Sequence, residues 1–513
     1  MADKDFMQNF MAFLQQKGFI WGPSPEIYGG LAGFYTYAPL GKLLKNNVEN
    51  AIREVFTKNN FWEVECPTIM QKIVWEASGH LGGFTDPLIK CSKCKGDFRV
   101  DHLLEEEGKD TPIGKMSDVE LLKLIHEKNV KCPNCDSPFD KKIIKHDLMM
   151  KTTIGTDTEA YNRPETATTT YLPFPRYVTF FREKLPFGVF QIGKAYRNEI
   201  SPRQHVLRMR EFTQAEGQLF IFPDQKNSYE PYEKVKKTKL PLWSYSLWST
   251  NKPLEEISLE EAMKKGYLKN QAYAWSVYMA YELFRNMGIP ADKIRLRQHD
   301  PAEKAFYADD AWDVEVQLNT FGWFECCGVH DRTDYDLKQH EKFSKEKLQA
   351  RDLNNNVLTP HILEIAFGTD RPTYALLDIF YEFKEKEQGM SKFSIPYRLS
   401  PVKAAIFPLM KKDGMPELAE EIYAKLSKSF VCKYDESGSI GRRYLREDES
   451  GTAFCLTIDY DSLKNKDVTI RDRDSAKQAR VKIKDLTSTI SELLSGDMKF
   501  TDLKLVEVKK DEN

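Results

Sequence analysis

The sequence lacks an apolar run long enough to cross a bilayer, which takes about 20 consecutive apolar residues. Its first residues, MADKDFMQNFMAF, include acids where a secretory signal has an uninterrupted apolar stretch. It also lacks an excess of charge of one sign, because 75 Lys and Arg residues nearly balance 77 Asp and Glu residues. We therefore expect a cytoplasmic protein with no membrane partner, in which contact with nucleic acid depends on local patches.

Cysteines are few, nine in 513 residues, and five of them are scattered, as expected for thiols of a reducing compartment. The other four form two C-x2-C pairs, Cys91 with Cys94 and Cys132 with Cys135. Two such pairs supply the four tetrahedral thiolates that zinc prefers. We predict a structural Zn²⁺ site without an open coordination position, and we expect no structural disulfides.

Two short motifs with the outline of a phosphate loop are incomplete. GVFQIGKA, residues 188–195, ends in Ala195 where a P-loop has the Ser or Thr that binds magnesium. Its apolar VFQI is typical of a buried strand. GMSKF, residues 389–393, lacks the histidine motif that accompanies similar loops. Neither motif is predicted to bind a nucleotide.

The length of the chain exceeds one ordinary core and predicts two to four domains, at about 150 residues each. Hydrophobic periodicity predicts an α+β fold. We expect a first part at 1–88, a polar insertion bracketed by the cysteines at 89–149, a core at 150–394 and an α/β domain at 395–513. Residues from about 223 to 266 show no clear period, and we predict an inserted loop or helical subdomain without an assigned role.

Three stretches predict particular elements. KLLKNNVENAIREVF is amphipathic and predicts a helix that ends near Asn60, before a strand in FWEVECPTIM that stops at Pro67. HILEIAFGTDRPTYALLDIF predicts a strand that continues into a helix through Gly368. FQIGKAYRNEISPRQHVLRMREFTQAEGQLF predicts two strands joined by an arginine-rich loop. Such cations can bind a triphosphate, although two arginines alone would more simply be surface salt bridges.

Several motifs together resemble class II aminoacyl-tRNA synthetases. RNE followed by SPR and REF is similar to motif 2 of that class, FGTDR to motif 3 with its arginine, and NNFWEVECPTIM to motif 1. The longer strings YNRPETATTTY, REFTQAE, GWFE, DRTDYDLKQH, FPLMKKDG and YDESGSIGRRY resemble the glycyl-tRNA synthetase family of the α2 dimeric, archaeal and eukaryotic-like type. The resemblance covers nearly the whole chain, except the stretch from about 223 to 266.

The resemblance implies an antiparallel-sheet catalytic core with a zinc-binding insertion, followed by an anticodon-binding domain. It implies a homodimeric enzyme that uses ATP with Mg²⁺ to form glycyl-adenylate and then transfers glycine to the 3′ end of tRNA(Gly). In that reaction the amino-acid carboxylate attacks the α-phosphate. Positioning and cations therefore lower the barrier, and no nucleophilic Ser or Cys is required.

The resemblance also implies roles for individual residues. Arg197 would contact the α-phosphate and Glu199 the adenine amino group, while Arg371 would cover adenine and reach the γ-phosphate. These three residues form the predicted catalytic set. The predicted ATP site consists of Arg197, Asn198, Glu199, Leu207, Arg208, Arg210, Phe212, Glu325, Cys326, Gly368 and Arg371. The predicted glycine site consists of Arg99, Glu165, Phe212, Thr213, Gln214, Ala215, Glu216, Glu364, Ala366 and Gly368.

Within these sites, Glu165 and Glu216 would bind the ammonium group of glycine, and Glu325 would lie beside ATP and its magnesium, where oxygen ligands suit the ion. The chain departs from the family pattern at Ala366, where Ser is usual in motif 3. The missing hydroxyl enlarges the pocket slightly and weakens the expected exclusion of alanine. Thr168 and Thr169 also replace the more common Gln and Gly.

Five arginines of the last domain could contact RNA phosphates or bases, although any one of them alone is more simply a surface residue. They are Arg442, Arg443, Arg446, Arg471 and Arg473.

Two alternatives stay open at this point. One is a class II synthetase for another small amino acid such as Thr, Ser or Pro, which RPETA, TQAE and DRTDYDL disfavour. The other is a non-catalytic synthetase-like protein that binds nucleic acid, which would be free to lose the cations and acids named above.

Overall fold

The structure is a computed structural model that describes residues 4–105, 116–200, 202, 204–301, 304–305, 307–382 and 391–506. Ser201 and Arg203 of the SPR motif, and the first two residues of GMSKF, lie outside the described residues. Within the described parts of the chain, no helix is long and apolar enough to cross a membrane.

The first part of the chain, up to Asp147, combines two long helices with short strands. Its helices are α1 (Lys4–Gln16), α2 (Pro39–Lys58), α3 (Lys72–Ala77), α4 (His80–Gly83), α5 (Val100–Glu105) and α6 (Asp118–Glu127). Its strands are β1 (Ile20–Trp21), β2 (Thr36–Tyr37), β3 (Phe61–Glu63), β4 (Ile69–Gln71), β5 (Thr85–Cys91), β6 (Asp97–Arg99) and β7 (Phe139–Asp147).

The middle part contains the longest strands. They and their neighbours are β8 (Met150–Ile154), β9 (Thr158–Asn162), β10 (Phe187–Tyr196), β11 (Glu211–Ile221), β12 (Lys239–Trp243), β13 (Glu255–Ser258), β14 (Ile294–Gln298), β15 (Asp310–Leu318), β16 (Gly322–Thr333), β17 (Ala350–Arg351), β18 (Val357–Leu358), β19 (His361–Gly368) and β20 (Tyr381–Glu382). Its helices are α7 (Ala167–Tyr171), α8 (Phe174–Phe180), α9 (Glu230–Val235), α10 (Tyr245–Trp248), α11 (Leu259–Lys264), α12 (Gln271–Asn286), α13 (Tyr335–Ser344) and α14 (Asp370–Phe380).

The last part alternates strands and helices. The strands are β21 (Lys392–Phe393), β22 (Ala404–Pro408), β23 (Cys432–Tyr434), β24 (Phe454–Ile458), β25 (Asp467–Asp472), β26 (Gln478–Lys482) and β27 (Leu505–Val506), and the helices are α15 (Met415–Leu426), α16 (Ile440–Ser450), α17 (Tyr460–Asn465) and α18 (Leu486–Ser495). Six of these strands form one sheet, in the order β23-β22-β24-β25-β26-β27, with its own apolar core.

Nine strands form the central sheet, in the order β13-β12-β14-β15-β16-β19-β11-β10-β3. All neighbours pair antiparallel except β3 with β10 and β12 with β14. One face of this sheet is apolar and packs against α2 and α12 in the largest core. Gly217 on β11 allows α2 to approach, because a Cβ there would meet Phe56 at 2.3 Å. The polar residues of the opposite face line a cavity.

Several expected elements are present. The helix of KLLKNNVENAIREVF is α2, which ends at Lys58, and the strand continuing into a helix through Gly368 is β19 followed by α14. GVFQIGKA lies within β10, in agreement with its interpretation as a strand. The α+β fold class is confirmed.

The strand predicted before Pro67 is β3, which ends at Glu63 and pairs with β10 in the central sheet, while β4 after Pro67 pairs with β9 in a separate sheet. One expectation needs correction. The region from about 223 to 266 is neither a loop nor a helical subdomain, since its strands β12 and β13 extend the central sheet. Their sequences, KLPLW and EEIS, are too short for a period to be visible.

Candidate active site

The cavity on the polar face of the central sheet has a volume of about 290 Å³. The cavity lies over β11, β19, β16 and β15. The loop before β10 and the loop after β10 close the sides of the cavity. Predicted site residues that line it are Glu165, Arg197, Glu199, Leu207, Arg208, Phe212, Gln214, Glu216, Glu325, Cys326, Glu364, Ala366, Gly368 and Arg371. The structure therefore brings together most of the residues that the sequence singled out.

The alternation of side chains along β11 decides which residues of FTQAE reach the cavity. Phe212, Gln214 and Glu216 line it, because successive residues of a strand point to opposite faces. Ala215 is fully buried in the apolar core on the other face. Thr213 also points there, and its hydroxyl accepts a hydrogen bond from a buried lysine. The side chains of Thr213 and Ala215, both predicted for the glycine site, therefore point away from the cavity.

Glu364 lies at one end of the cavity and is 2% exposed. One carboxylate oxygen lies 3.2 Å from Arg332 Nη1 and 3.3 Å from His330 Nδ1. The other oxygen accepts hydrogen bonds of 3.0 Å from the Tyr171 hydroxyl and from Gln218 Nε2. Burial disfavours the charged form, but Arg332 and His330 lower the pKa of Glu364 below its usual range. This acid is therefore ionised and already fully partnered.

Glu216 occupies a different electrostatic environment at the same end. It is 2% exposed and accepts hydrogen bonds from the Thr166 hydroxyl and, at 2.6 Å, from Gln214 Nε2. Burial, together with the negative charges of Glu364 and Glu165, raises the pKa of Glu216 well above its ordinary value. A cation placed beside Glu216 would favour its ionised form.

Glu165 faces these two acids from the loop after β9. Its Oε1 atom lies 3.5 Å from Nε2 of His80, which belongs to α4. Burial disfavours its charge, but His80 and Arg332 lower the pKa of Glu165 to about 2. Three carboxyl groups, from Glu165, Glu216 and Glu364, thus surround a small space at this end of the cavity.

The other end of the cavity is lined by cations and aromatic rings. The guanidinium of Arg197 lies 5.4 Å from the ring centres of both Phe84 and Phe212, and its Nε donates to the carbonyl of Pro164 at 3.1 Å. The guanidinium is thus held in place at the wall of the cavity. This arrangement suits a planar, polyanionic ligand.

Arg371 follows directly after the start of α14 and lies on the same side. Its Nη1 donates to the Glu325 carbonyl at 2.8 Å and to the Glu325 carboxylate at 2.9 Å. Burial disfavours the charge of Glu325, but Arg371 lowers the pKa of this acid below its ordinary value. Glu325 is thus an ionised oxygen ligand at the mouth of the cavity.

Five residues predicted for the site do not line the cavity. The guanidinium of Arg210 donates to the carbonyls of Glu199, Ala32 and Ile200, so it holds backbone rather than facing a phosphate. Asn198 bonds the carbonyl of Leu148 through its backbone and lies partly exposed. The roles expected for Arg210 and Asn198 are therefore not supported by their positions.

Arg99 is the third such residue, and Thr213 and Ala215 on the reverse face are the fourth and fifth. Arg99 on β6 is ion-paired with Asp86 at 2.8 Å and with Asp101 at 2.6 Å, and lies 3.7 Å from Glu199. It contacts a cavity residue without lining the cavity. Its expected contact with glycine is replaced by a contact with Glu199 at the other end.

Sequence reasoning missed several cavity residues. Arg332 is the most important, because its guanidinium pairs with Asp336 at 2.7 and 2.8 Å and with Glu364 at 3.2 Å. It lies within the DRTDYDL motif, which could have drawn attention to it. Other lining residues not singled out are Val206, Met209, His299, Tyr307, Asp313, Gly328, His330, Phe367 and Asp370. His299 and Tyr307 lie outside the strands and outside the motifs, whereas Gly328 and His330 lie on β16 between GWFE and DRTDYDL.

The four paired cysteines meet at one point beside the sheet of β6, β5 and β7. The Sγ atoms of Cys91, Cys94, Cys132 and Cys135 all lie within 4.8 Å of one another, with two separations of 3.5 and 3.6 Å. Zn–S bonds of about 2.3 Å in a tetrahedron require sulfur separations of about 3.8 Å. The arrangement therefore fits a zinc ion in geometry and in ligand chemistry.

The arginines of the last domain are used in different ways. Arg443 and Arg473 are buried and donate to the backbone carbonyls of Pro408 and Gly451, respectively, so both stabilise the fold. Arg471 is ion-paired with Asp448 through both guanidinium nitrogens. Of the five, only Arg442 and Arg446 are exposed. RNA contact by the buried pair is therefore excluded in this conformation.

Comparison with protein families gives two matches. Residues 151–380 match the family described as "tRNA synthetase class II core domain (G, H, P, S and T)". Residues 403–493 match the family described as "Anticodon binding domain".

Curated relatives cover nearly the whole chain. A protein of Pyrococcus abyssi named glycine–tRNA ligase is 38% identical over 571 aligned positions, which cover 96% of this chain and 98% of the relative. Its namesake from Methanococcus maripaludis is 38% identical over 570 positions, covering 94% and 98%.

Solved structures of similar fold include two prolyl-tRNA synthetases. That of Giardia lamblia, in complex with prolyl-adenylate, has a TM-score of 0.59 at 13% identity and covers 95% of this chain and 75% of its own. That of Cryptosporidium parvum, with halofuginone and AMPPNP, has a TM-score of 0.56 at 13% identity and covers 96% and 78%. At this identity the likeness concerns the fold alone.

Proposed function

The chain belongs to the glycine–tRNA ligase family and is an amino-acid-activating, tRNA-charging ligase, and from this premise we propose that glycine and ATP occupy the two ends of its central cavity. The carboxyl cluster of Glu165, Glu216 and Glu364 would hold the ammonium group of glycine. The end that contains Arg197, Phe212 and Arg371 would hold ATP.

The observation that carries this assignment is the carboxyl cluster itself. An ammonium group is the small cation that three converging acids select, and hydrogen bonds to charged acceptors are the strong ones. Ala366 and Gly328 face each other across β19 and β16 beside the cluster, in register with Glu216. These small residues and the surrounding walls leave a short space, which suits an amino acid without a side chain.

At the nucleotide end, Phe212 would stack on adenine and Arg371 would cover its opposite face. Arg197 would meet the α-phosphate together with the carboxylate of glycine, since both anions must approach each other for attack. Arg208, which lines the cavity, would bind the outer phosphates. Magnesium accompanies ATP as part of the substrate, and the ionised carboxylate of Glu325 is the kind of oxygen ligand that this ion accepts.

The reaction needs positive charge where negative charge develops. As the glycine carboxylate attacks, the α-phosphate passes through a crowded, more highly charged state, which Arg197 would stabilise. Arg197 is held by two rings and a carbonyl, so little reorganisation is required at that moment. Pyrophosphate then leaves past Arg208 and Arg371.

We also propose a structural zinc ion in the four-cysteine site and a homodimer formed along β3. Cysteines 91, 94, 132 and 135 would hold the ion with no position left for substrate. β3 is the last strand of the central sheet, and its Trp62 and the neighbouring Phe180 are 57% and 60% exposed with their ring centres 5.4 Å apart. We further propose that the protein acts in the cytoplasm, because cysteine thiols without disulfides persist in a reducing compartment.

Pyrophosphate exchange with ATP tests the proposal, with glycine, alanine, serine, threonine and proline compared side by side and charging of tRNA(Gly) measured afterwards. We expect exchange with glycine and transfer to the tRNA. Replacement of Glu165 by Gln should raise the KM for glycine by about ten- to hundredfold, the cost of one lost charged hydrogen bond. The control is Glu260→Gln, on an exposed helix surface.

Exchange with another of these amino acids alone would overturn the assignment to glycine. No exchange with any of them would instead favour a synthetase-like protein that only binds nucleic acid. The hypothesis of a protein that only binds nucleic acid is disfavoured, because one cavity still contains Arg197, Glu199, Phe212 and Arg371.

A further inference from the structure

Two of the arginines that line the cavity follow directly after a buried aspartate, and each aspartate is ion-paired with a buried lysine. The dipeptides are Asp331-Arg332 at the carboxyl-cluster end and Asp370-Arg371 at the nucleotide end. Neither lysine lines the cavity. A buried lysine, an aspartate and a cavity arginine are therefore combined in the same way at both ends of one site, which points to the same role for both lysines.

The first pair joins α2 to the start of α14. Lys45 Nζ lies 2.5 Å from Asp370 Oδ1, with the two side chains 4% and 3% exposed. The second oxygen of Asp370 accepts the backbone N–H of Thr213 at 2.8 Å, and Lys45 also donates to the Thr213 hydroxyl at 2.9 Å. One carboxylate therefore fixes the backbone beside both Phe212 and Arg371, the two residues assigned to adenine.

The second pair joins the short 3-10 helix at Pro223–Asn227 to β16. Lys226 Nζ lies 2.8 and 2.7 Å from the two oxygens of Asp331, with the side chains 9% and 1% exposed. Successive residues of a strand point to opposite faces, so Asp331 is held from behind the sheet while Arg332 enters the cavity. There Arg332 lies 3.2 Å from Glu364 in the carboxyl cluster.

The two pairs are separate from each other. Lys45 belongs to the first part of the chain, whereas Lys226 belongs to the region that adds strands to the edge of the central sheet. Over the described residues, no hydrogen bond or ion pair connects one pair with the other. Buried ion pairs contribute little net stability compared with apolar packing, and in some proteins they serve to specify one conformation. Positional control is the role that fits them.

We propose that Lys45 and Lys226 are positioning residues that act independently on the two substrates. Lys45 sets the affinity for ATP by holding Asp370, and with it Phe212 and Arg371. Lys226 sets the affinity for glycine by holding Asp331, and with it Arg332 and the carboxyl cluster. The inference rests on the proposed function, because it assigns each substrate to one end of the cavity.

The test is glycine-dependent pyrophosphate exchange by Lys45→Met and Lys226→Met. A misplacement of about 1 Å in a substrate-binding group can cost up to a hundredfold, and we expect a rise of about tenfold or more in one KM. The Lys45 variant should raise the KM for ATP and leave that for glycine within about twofold, and the Lys226 variant should do the reverse. Lys433→Met, which removes the partner of buried Glu447 in the last domain, is the control and should change neither KM.

Removal of a lysine alone leaves a buried carboxylate without a counter-ion, which can unfold the chain. The double variants Lys45→Met with Asp370→Asn, and Lys226→Met with Asp331→Asn, remove both charges and keep the hydrogen-bond acceptor. Thermal unfolding identifies the folded variants, and the same split between the two KM values is expected of them.

Equal changes in both KM values, or a lower melting temperature with unchanged KM values in the folded variants, would overturn the inference. Absence of glycine-dependent exchange in the unsubstituted chain would instead contradict the proposed function. The two failures are therefore distinguishable in one set of measurements.

Discussion

At the scale of single residues, the glycine end of the cavity depends on what surrounds three acids rather than on the acids alone. Glu364 is neutralised by Arg332 and His330, Glu165 is stabilised by His80, and Glu216 keeps a raised pKa. The last group is the one whose charge a bound ammonium changes most. Binding of glycine and loss of a proton should therefore be coupled at Glu216.

The coupling predicts the pH dependence of glycine binding. Because the pKa of Glu216 is raised in the free protein and an ammonium group favours the ionised form, binding should release a proton. Affinity for glycine should therefore increase as the pH rises towards that raised pKa, by at most about tenfold per pH unit for one proton. Isothermal titration calorimetry in buffers of different ionisation enthalpy measures the proton directly.

Glu216→Gln should abolish the proton release, because an amide does not titrate in this range. An affinity for glycine that falls with rising pH, or proton uptake on binding, would contradict the assignment of Glu216 as the titrating group.

Ala366 predicts the selectivity of the pocket. It lines the cavity and lies opposite Gly328 and Glu216 in the sheet, where a larger side chain would reduce the space beside the substrate α-carbon. Ala366→Ser should lower alanine-dependent exchange relative to glycine-dependent exchange by about tenfold. Exchange assays with both amino acids measure the ratio.

Ala366→Gly is the opposite control and should raise the ratio of alanine to glycine. If neither substitution changes that ratio, exclusion of alanine depends on other walls of the cavity.

At the scale of elements, sequence motifs identified the strands of the site but not the orientation of each side chain. The expected class II core and anticodon-binding domain are confirmed, and FTQAE was correctly placed on a strand. The register of β11 against β19 then turns Thr213 and Ala215 away from the cavity. A motif identifies a whole stretch of sequence, whereas neighbouring residues of a strand point to opposite faces of the sheet. Only the pairing of the strand shows which of its residues face the cavity.

Long-range contacts account for the other differences. Arg210 could not be separated from Arg208 by sequence, because the carbonyls that occupy Arg210 come from residues 32, 199 and 200. Arg332 was missed for a related reason, since its partner Glu364 is 32 residues away along the chain. Nor does the sequence show that Lys45 and Lys226 are buried, because their partners Asp370 and Asp331 are 325 and 105 residues away along the chain.

The cysteine-bracketed insertion predicts a dependence on metal. Replacement of Cys132 by Ser removes one of four thiolates, and the zinc content should fall from about one ion per chain to nearly none. The insertion contacts the cavity through Arg99 to Glu199 at 3.7 Å and His102 to Arg208 at 3.3 Å. The KM for ATP should therefore rise as well. Atomic emission measures the metal, and exchange assays measure the KM.

Cys432→Ser is the matched control, because Cys432 is a cysteine of β23 outside the cluster. Full zinc content in the Cys132 variant, or equal loss in the Cys432 variant, would contradict a four-cysteine zinc site.

At the scale of the whole molecule, the exposed end of the central sheet predicts self-association. Trp62 and Phe180 form an exposed aromatic pair beside β3, and Leu353, 98% exposed, lines the same surface cleft as Phe61. Trp62→Asp places a charge in this apolar surface and should weaken the proposed dimer by about thirtyfold or more, as for a central interface residue. Sedimentation at several protein concentrations measures the change.

Trp21→Asp is the control, because Trp21 is 41% exposed and lies outside this surface. A Trp62 variant that sediments like the unsubstituted chain would place the dimer contact elsewhere.

The two buried lysine–aspartate pairs also bear on how such a molecule can change over evolutionary time. Because one pair holds the nucleotide end and a different pair holds the amino-acid end, a substitution near Lys226 can alter the choice of amino acid without altering the binding of ATP. Selection can then act on one substrate at a time. A single ancestral scaffold organised in this way can give rise to ligases for several amino acids, each inheriting an unchanged nucleotide site.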